Sequence, residues 1–413
     1  MKAKDIPNFG LLPGLKVVGS VVSTAGGFTM KLFAESGANA IWIESPFGQD
    51  PMRFSGGGWG IENERRNIRN ISLNVPTPEG KEIFKNLLKD ADIFVEASRG
   101  GQWSDWGLND EVLWEVNPKL VIVHMSGYGQ SGDPNYIKRP GFDHTIQAYC
   151  GLLEINGYPE QDPCLAVKFP TDYYSGLYAY GCSLAGYINA QKTNRGESID
   201  LAQYEVGLSC QAGLPGNWLN AGKQEPRDGS KRHDTAGVGY YVCKDGAGVY
   251  TILIGLNVMK RLFPLIGLEY GQPPFPDGVT RVLRKDKAAA ELYERKVTEY
   301  FLSKTALEAE TELSAQGIPC ARSMNYAMME TDPHYIARKS IIEWETVKGE
   351  KIRGIAPIPR YKNNPTVIFR GCPSVGMDND DILAEVGYNQ EQIKEFYEKK
   401  IIKQSDIVRI SGT

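Results

Sequence analysis

Three observations predict an α/β chain with a Rossmann-like large domain, built on a parallel sheet, and a smaller α+β domain. Short apolar runs alternate with helical patterns through the first half of the chain, the arrangement that produces crossovers and a sheet covered on both faces. A polar, Gly-rich stretch then interrupts the pattern at 217–239. Beyond it, two β-rich runs flank Lys244-Asp245-Gly246, a hairpin signal that the first half lacks.

In chain order, the first cycle is a strand at 15–18, a helical segment to about residue 37 and a strand at 40–44. The second is a strand at 71–73, a helix over 78–89 and a strand at 93–97, followed by a short helix at 110–116 and a strand at 120–124. Thr77 before Pro78 is a helix cap with proline at the first helical position, and Ile83, Phe84, Leu87 and Leu88 make the buried stripe of that helix. Gly26-Gly27 after the first strand reads either as a tight turn or as a ligand loop; neither GxGxxG nor GxxxxGK[ST] is present. A long helix is expected over 175–192, a break at Arg195-Gly196 and a strand at 199–201. The second domain holds a hairpin of 240–243 with 249–254, a helix over 305–316 and a run at 318–321. The closing segment, RGCPSVGMDNDDILAEVGYNQEQIKEFYEKKII, reads as a turn and two helices that have no partner of their own. The expected boundaries are therefore a large domain over 1–216, a small domain over 217–330 and a segment over 331–413 that returns to the large domain.

Composition narrows the function. With 413 residues the chain has length for two domains, and 41% hydrophobic with 23% charged residues is ordinary globular composition. A net charge of -4 argues against a chain-wide nucleic-acid footprint. No basic start, apolar run and cleavage site open the chain, and no apolar stretch is long enough for a bilayer, so a cytoplasmic address and no membrane partner are expected. Seven cysteines lie far apart without a CxxC, most of them expected as small buried side chains. Four histidines, with no HExxH and no Cys at zinc-ligand spacing, give no metal expectation and little support for a histidine base.

One carboxylate draws attention. In FPTDYYSGLYAY, Asp172 stands just before a helical stretch, where it can cap the helix; the same place would keep it ionised and expose its oxygens, as a nucleophile requires. Tyr173 and Tyr174 beside it are either packing residues or faces for a quaternary ammonium. Arg65-Arg66 reads as a solvated charge group.

Several segments taken together resemble the family III CoA-transferases: GLKVVGSVVSTAGGFTMKLFAESGANAIWIESPFGQDPMR, SLNVPTPEGKEIFKNLLKDADIFVEASRG, NPKLVIVHMSGYGQSGDPNYIKRPGFDHTIQA, KFPTDYYSGLYA, RGESIDLAQYEV and RGCPSVGMDNDDIL. They stand in the family's order and span nearly the whole chain. The phrases EASRG, DEVLWEVNPKLVIVH, TDYYSGL, GESIDLAQYEV and YKNNP look most like the carnitine branch, whose acids are carnitine and γ-butyrobetaine; GGQ, SGYGQSGDP and GMDNDDIL place the bile-acid branch next.

The resemblance implies an enzyme that moves CoA between an acyl thioester and a free carboxylic acid. It makes Asp172 the catalytic nucleophile, acylated to an anhydride and then converted to an aspartyl-CoA thioester. Coenzyme A is then a substrate and no tightly bound cofactor is implied; exchange between thioesters is nearly energy-neutral, so no ATP motif is required. Thr24, Ala25 and Leu73 fall where the family meets the nucleotide, and Arg99 matches a basic CoA-contacting position. A further family arginine is replaced here by Asp105-Trp106-Gly107, leaving Trp106 as a stacking candidate and Arg69 or Arg139 as substitutes for the phosphate contact. Gly176 and Gly237-Val238-Gly239 are candidates for close backbone approach. A homodimer of interlocked chains is also implied. A racemase branch of the same fold uses a histidine in GHD; here the motif is Gly141-Phe142-Asp143, and phenylalanine moves no proton, so transfer is favoured over isomerisation. A non-catalytic CoA-binding protein is the alternative of another class.

Overall fold

A computed structural model describes residues 1–409 and divides the chain into two compact units. Unit 1 comprises Met1–Leu152, Val167–Ala212 and the residues from Ala337; unit 2 comprises Leu153–Ala166 and Gly213–Ile336.

Unit 1 is organised by a six-stranded parallel sheet in the order β3-β2-β1-β4-β5-β6. Its strands are β1 (Lys16–Ser20), β2 (Asn39–Glu44), β3 (Arg69–Ser72), β4 (Ile93–Glu96), β5 (Val121–Ser126) and β6 (Ser198–Ala202). Successive side chains point to opposite faces, and the two cores follow that alternation. Val18, Ile41, Phe94 and Ile122 enter one core; the neighbouring Val17, Trp42, Val95 and Val123 enter the other.

The helices covering the sheet are α1 (Ser23–Glu35), α2 (Pro78–Leu88), α3 (Asp110–Val116), α4 (Asp143–Tyr149), α5 (Pro170–Thr193) and α6 (Gln203–Ser209). The Phe84 and Leu87 stripe belongs to α2, which begins as expected: Thr77 Oγ1 accepts from Gly80 N at 3.0 Å, and Ile83, Phe84, Leu87 and Leu88 are all buried. The opposite core takes Met30 and Phe33 from α1 and Ala179 and Ala190 from α5. The long helix starts five residues ahead of its expected first residue, 175, because Pro170 opens it after Phe169 in the left-handed region at φ 66°.

Two glycine expectations change. Gly26 and Gly27 lie inside α1, neither in a turn nor in a phosphate loop. A Cβ at Gly27 would stand 1.6 Å from Arg65 Nη1, so the missing side chain makes room for a buried guanidinium. Gly176 likewise serves helix packing: a Cβ there would meet Phe28 at 2.9 Å and the Ala25 carbonyl at 3.0 Å, both on α1.

Arg65 and Arg66 are corrected as well, since both are fully buried. Arg65 pairs with Asp50 at 2.7 Å, and Arg66 pairs with Glu35 at 2.6 Å while donating to the Ile355 carbonyl. Specific carboxylate partners outweigh the tendency of adjacent arginines to stay in water. Arg66 also lies over Trp344, on a hairpin of β12 (Ile341–Glu345) and β13 (Lys351–Ile355) that the sequence reading does not assign.

In unit 2, β8 (Val238–Val242) and β9 (Gly248–Ile252) form the antiparallel hairpin around the Asp-Gly turn, and β11 (Cys320–Arg322) pairs with β9. β7 (Thr235–Ala236) and β10 (Val282–Leu283) make a second small ladder. The helices are α7 (Leu256–Leu265), α8 (Lys287–Leu302) and α9 (Ala306–Ala315). The stretch read as a linker therefore holds a helix at Leu214–Ala221 and the entry to β8. Gly237 and Gly239, at φ 76° and 152°, serve the bend into that strand, and a Cβ at Gly237 would meet the Tyr293 ring at 2.6 Å. The closing helices, α10 (Asn379–Glu385) and α11 (Gln390–Glu398), contribute Ile382, Leu383, Ile393 and Phe396 to a core of unit 1. Among the described residues no helix is long and apolar enough to cross a membrane. Of the seven cysteines, Cys150, Cys243 and Cys372 are buried, Cys182 and Cys320 half-buried, and Cys164 and Cys210 exposed.

His124 ties β5 to its neighbours. Nδ1 lies 2.8 Å from Glu96 Oε1 and Nε2 lies 2.8 Å from Asp110 Oδ1. Burial would lower its pKa, but the hydrogen bonds and charges of the two carboxylates prevail and push it up to about 10. Such an imidazolium is a structural cation and a poor base at neutral pH. The raised pKa gives stability that is complete below about 6.5 and lost as pH rises through about 10. In urea unfolding, His124→Ala is expected to cost about 3–5 kcal/mol near pH 6, since it strands two carboxylates, and the difference from wild type should shrink toward pH 10. A pH-independent difference would contradict the assignment.

Candidate active site

The strand order reverses between β1 and β4, so the chains leaving their carboxyl ends diverge and open a crevice. A cavity of about 290 Å³ lies there, lined by Val22 and Ser23 after β1, Ser98 and Arg99 after β4, Ser126 and Gly127 after β5, and by Phe142, Asp172 and Gln203. A second cavity, of about 360 Å³, shares Val22, Ala97, Ser98 and Gln102 with the first and adds Leu73 and Trp106.

The wall from β1 is held under strain. Ser23 sits at φ 61°, a backbone conformation that costs a residue with a side chain about 1–3 kcal/mol unless its surroundings impose it. Here they do. Ser23 N donates to the Asp50 carboxylate, and the Ser23 carbonyl accepts from Arg65 Nη2 at 2.7 Å. The buried Arg65–Asp50 pair thus sets the turn that starts α1 at the cavity. On the β4 side, Glu96 accepts from Ser98 N at 2.7 Å while its other oxygen holds His124, so the sheet fixes the turn carrying Arg99.

Asp172 does not cap its helix. It occupies the third position of α5, and the amides of that first turn go to Asp143. Asp143 Oδ1 accepts from Thr171 N at 2.8 Å, from Thr171 Oγ1 at 2.6 Å and from Asp172 N at 3.3 Å; its Oδ2 accepts from Gln147 Nε2 at 2.6 Å. A carboxylate from α4 therefore does the capping, and Asp172 is released to the cavity. Its Oδ1 accepts from Gln203 Nε2 at 2.9 Å, and Oδ2 has no donor among the described residues.

This arrangement also corrects the expectation that Asp172 stays ionised. Burial, with the charge of Asp143 adding to it and the Gln203 amide opposing, pushes its pKa up to about 7. The helix amides that would have held it down are spent on Asp143.

The residues singled out by sequence separate here. Asp172, Ala25 and Arg99 meet at the first cavity; Leu73 and Trp106 line the second. Thr24 is buried beneath them, its hydroxyl 3.8 Å from Met52 Sδ. Arg139 lines neither cavity: it is exposed, stacked 3.7 Å from the Tyr136 ring centroid and bonded to the Asn135 carbonyl. Arg69 is sealed into a pair with Glu385. Tyr173 turns away, donating to Glu64 and packing edge-on against Phe28, and Tyr174 does not line the cavity. His144 stacks on Phe169. The sequence reading missed Gln203 and Asp143. Gln203 follows the last residue of β6, and the rule that sites gather beyond the carboxyl ends of parallel strands is the signal that points to it.

Asp143→Ala is expected to destabilise the protein by about 1–2 kcal/mol, the worth of a helix cap, measured by urea unfolding at pH 7. No loss of stability would mean that α5 does not depend on this carboxylate.

Comparison with known proteins gives one answer. The pattern of "CoA-transferase family III" matches residues 12–379. An L-carnitine CoA-transferase of Proteus mirabilis is 39% identical over 402 residues, covering 96% of this chain and 98% of that protein. One from a Proteus species is 38% identical over 401 residues, with the same coverage, 96% and 98%. The crystal structure of a CAIB/BAIF family protein from Brucella suis superposes with a TM-score of 0.77 at 25% identity, covering 92% of this chain and 100% of that one. With the parallel sheet, the switch-point cavity and these matches together, the chain belongs to the family III CoA-transferases and is an enzyme of that class.

Proposed function

We propose that the enzyme transfers CoA between carnitine-type acids, with Asp172 as the covalent carrier. The observation that carries this reading is the division of labour between two carboxylates: Asp143 takes the helix amides, which leaves Asp172 at the cavity with one oxygen held and one without a donor. The names of the Proteus relatives support the substrate class.

In the first step Asp172 Oδ2 attacks the thioester carbonyl; the C–S bond breaks, CoA leaves as thiolate and a mixed anhydride remains. The thiolate then attacks Asp172 Cγ, expelling the first acid as a carboxylate and forming the aspartyl thioester. The incoming carboxylate attacks Cγ in turn, CoA thiolate departs again, and its return to the new acyl carbonyl yields the second thioester and free Asp172. No net proton moves. Gln203 has a stated task in this sequence, because Oδ1 becomes the aspartyl carbonyl oxygen and gathers charge whenever Cγ is attacked. An amide 2.9 Å away in a buried site is placed to stabilise that oxyanion.

Coenzyme A is the travelling substrate, and no tightly bound cofactor enters the scheme. We assign its path to the two cavities that share a wall: the thiol end beside Asp172 and Ala25, a phosphate on Arg99, and the remainder along Leu73 and Trp106. Thr24 supports that wall from beneath; Arg139 takes no part. The bile-acid alternative has no such support from the names of these relatives.

Wild type should give a hydroxylamine-trapped aspartyl adduct, and Asp172→Ala should abolish both exchange and adduct; an adduct persisting in the variant refutes the assignment. Gln203→Ala should lower kcat by about 10²–10³-fold, the usual worth of an oxyanion donor, with little change in KM. Only ionised Asp172 attacks, so kcat/KM should rise with pH through about 7 and level off above it. Gln203→Ala should move that limb upward, because its amide favours the ionised form. A flat profile from pH 5 to 9 would contradict the raised pKa.

A further inference from the structure

The Gly141-Phe142-Asp143 motif has a second half that the reaction scheme leaves unused. Among the described residues, Phe142 is the one aromatic residue lining the Asp172 cavity, and 66% of it is exposed. Its ring meets no other aromatic ring among the described residues.

Its backbone is fixed. The Phe142 carbonyl accepts from Ile146 N at 3.0 Å and from Thr145 Oγ1 at 2.7 Å, while Phe142 N donates to Thr145 Oγ1 at 3.1 Å. The next residue, Asp143, binds the amides of Thr171 and Asp172. The backbones of Phe142 and Asp172 are thereby tied together through Asp143, and both residues line the one cavity.

From this geometry we infer that Phe142 is a specificity-determining residue: its exposed ring face receives the quaternary ammonium group of the substrate acid. The inference rests on the proposed use of carnitine-type acids and adds the group that recognises them. Elimination supports it. A trimethylammonium makes no conventional hydrogen bond, and a carboxylate or an aromatic face attracts it most strongly. The cavity's carboxylate is the nucleophile, Arg99 repels a cation, and Tyr173 and Tyr174 do not line the cavity. The Phe142 ring is the face that remains.

The test is exchange from γ-butyrobetainyl-CoA into two acids: deuterium-labelled γ-butyrobetaine, and 5,5-dimethylhexanoate, in which carbon replaces the ammonium nitrogen. Wild type should prefer the ammonium acid. Phe142→Leu, which keeps an apolar side chain at an exposed position and removes the π face, should lower kcat/KM for γ-butyrobetaine by about 5–30-fold, mainly through KM, and leave the neutral acid within about twofold. Phe142→Trp should retain or raise the preference and shows that a change at this position does not itself disable the fold. An unchanged ratio of the two acids in Phe142→Leu, with wild type exchanging γ-butyrobetaine, overturns this inference and leaves the proposed function standing. Wild type that exchanges other acids and never γ-butyrobetaine overturns both.

Discussion

The site depends on one carboxylate giving way to another. A helix that starts with Pro170 leaves several amides seeking an acceptor, and an acidic residue in its first turn is the ordinary solution. Asp143 reaches across from a separate helix and accepts from Thr171 and Asp172, so Asp172 is relieved of the backbone task its position suggests. The result is a buried carboxyl poised near neutrality, its pKa pushed to about 7 by burial and by the charge of its own positioning partner. In the proposed nucleophilic role, half-ionisation at neutral pH looks like a cost, yet it also gives a more basic group. Once the group is ionised, attack on a thioester is favoured over what an ordinary carboxylate offers.

Around that centre, rigidity comes from ion pairs placed under the loops. Arg65–Asp50 lies beneath the Ser23 turn and His124–Glu96 beneath the Ser98 turn, so the two strands at the switch point each carry a braced loop to the cavity. Gly27 completes the first brace by leaving room for the guanidinium. The proposed reaction, with its two hydrolysable intermediates, needs walls that do not open to water, and such buried pairs supply fixed geometry even where their net stabilisation is small.

The strand and helix order of the large domain was legible because parallel strands buried on both faces and amphipathic helices such as α2 carry strong local patterns. The hairpin around Asp245-Gly246 was legible through its turn chemistry. Burial of Arg65 and Arg66 was not, because it depends on Asp50 and Glu35, 15 and 31 residues away in the chain. Helix α7 carries Pro264 in its interior, a residue that locally argues against a helix. At the site, Asp172 could be named from sequence, but its freedom from capping could not, since Asp143 lies 29 residues away and acts only through the tertiary fold. The tyrosines next to Asp172 illustrate the same limit: adjacency in sequence drew attention to Tyr173, and helix geometry turns it toward Glu64.

The central claim is that the oxygen atoms of Asp172 pass into and out of the acids it exchanges. It can be read by incubating the enzyme with an acyl-CoA and an acid doubly labelled with oxygen-18, then measuring the mass of the peptide that contains residue 172. The account predicts that this peptide gains label during turnover while neighbouring acidic peptides do not. Rapid exchange of CoA between acids with no label reaching Asp172 would contradict it.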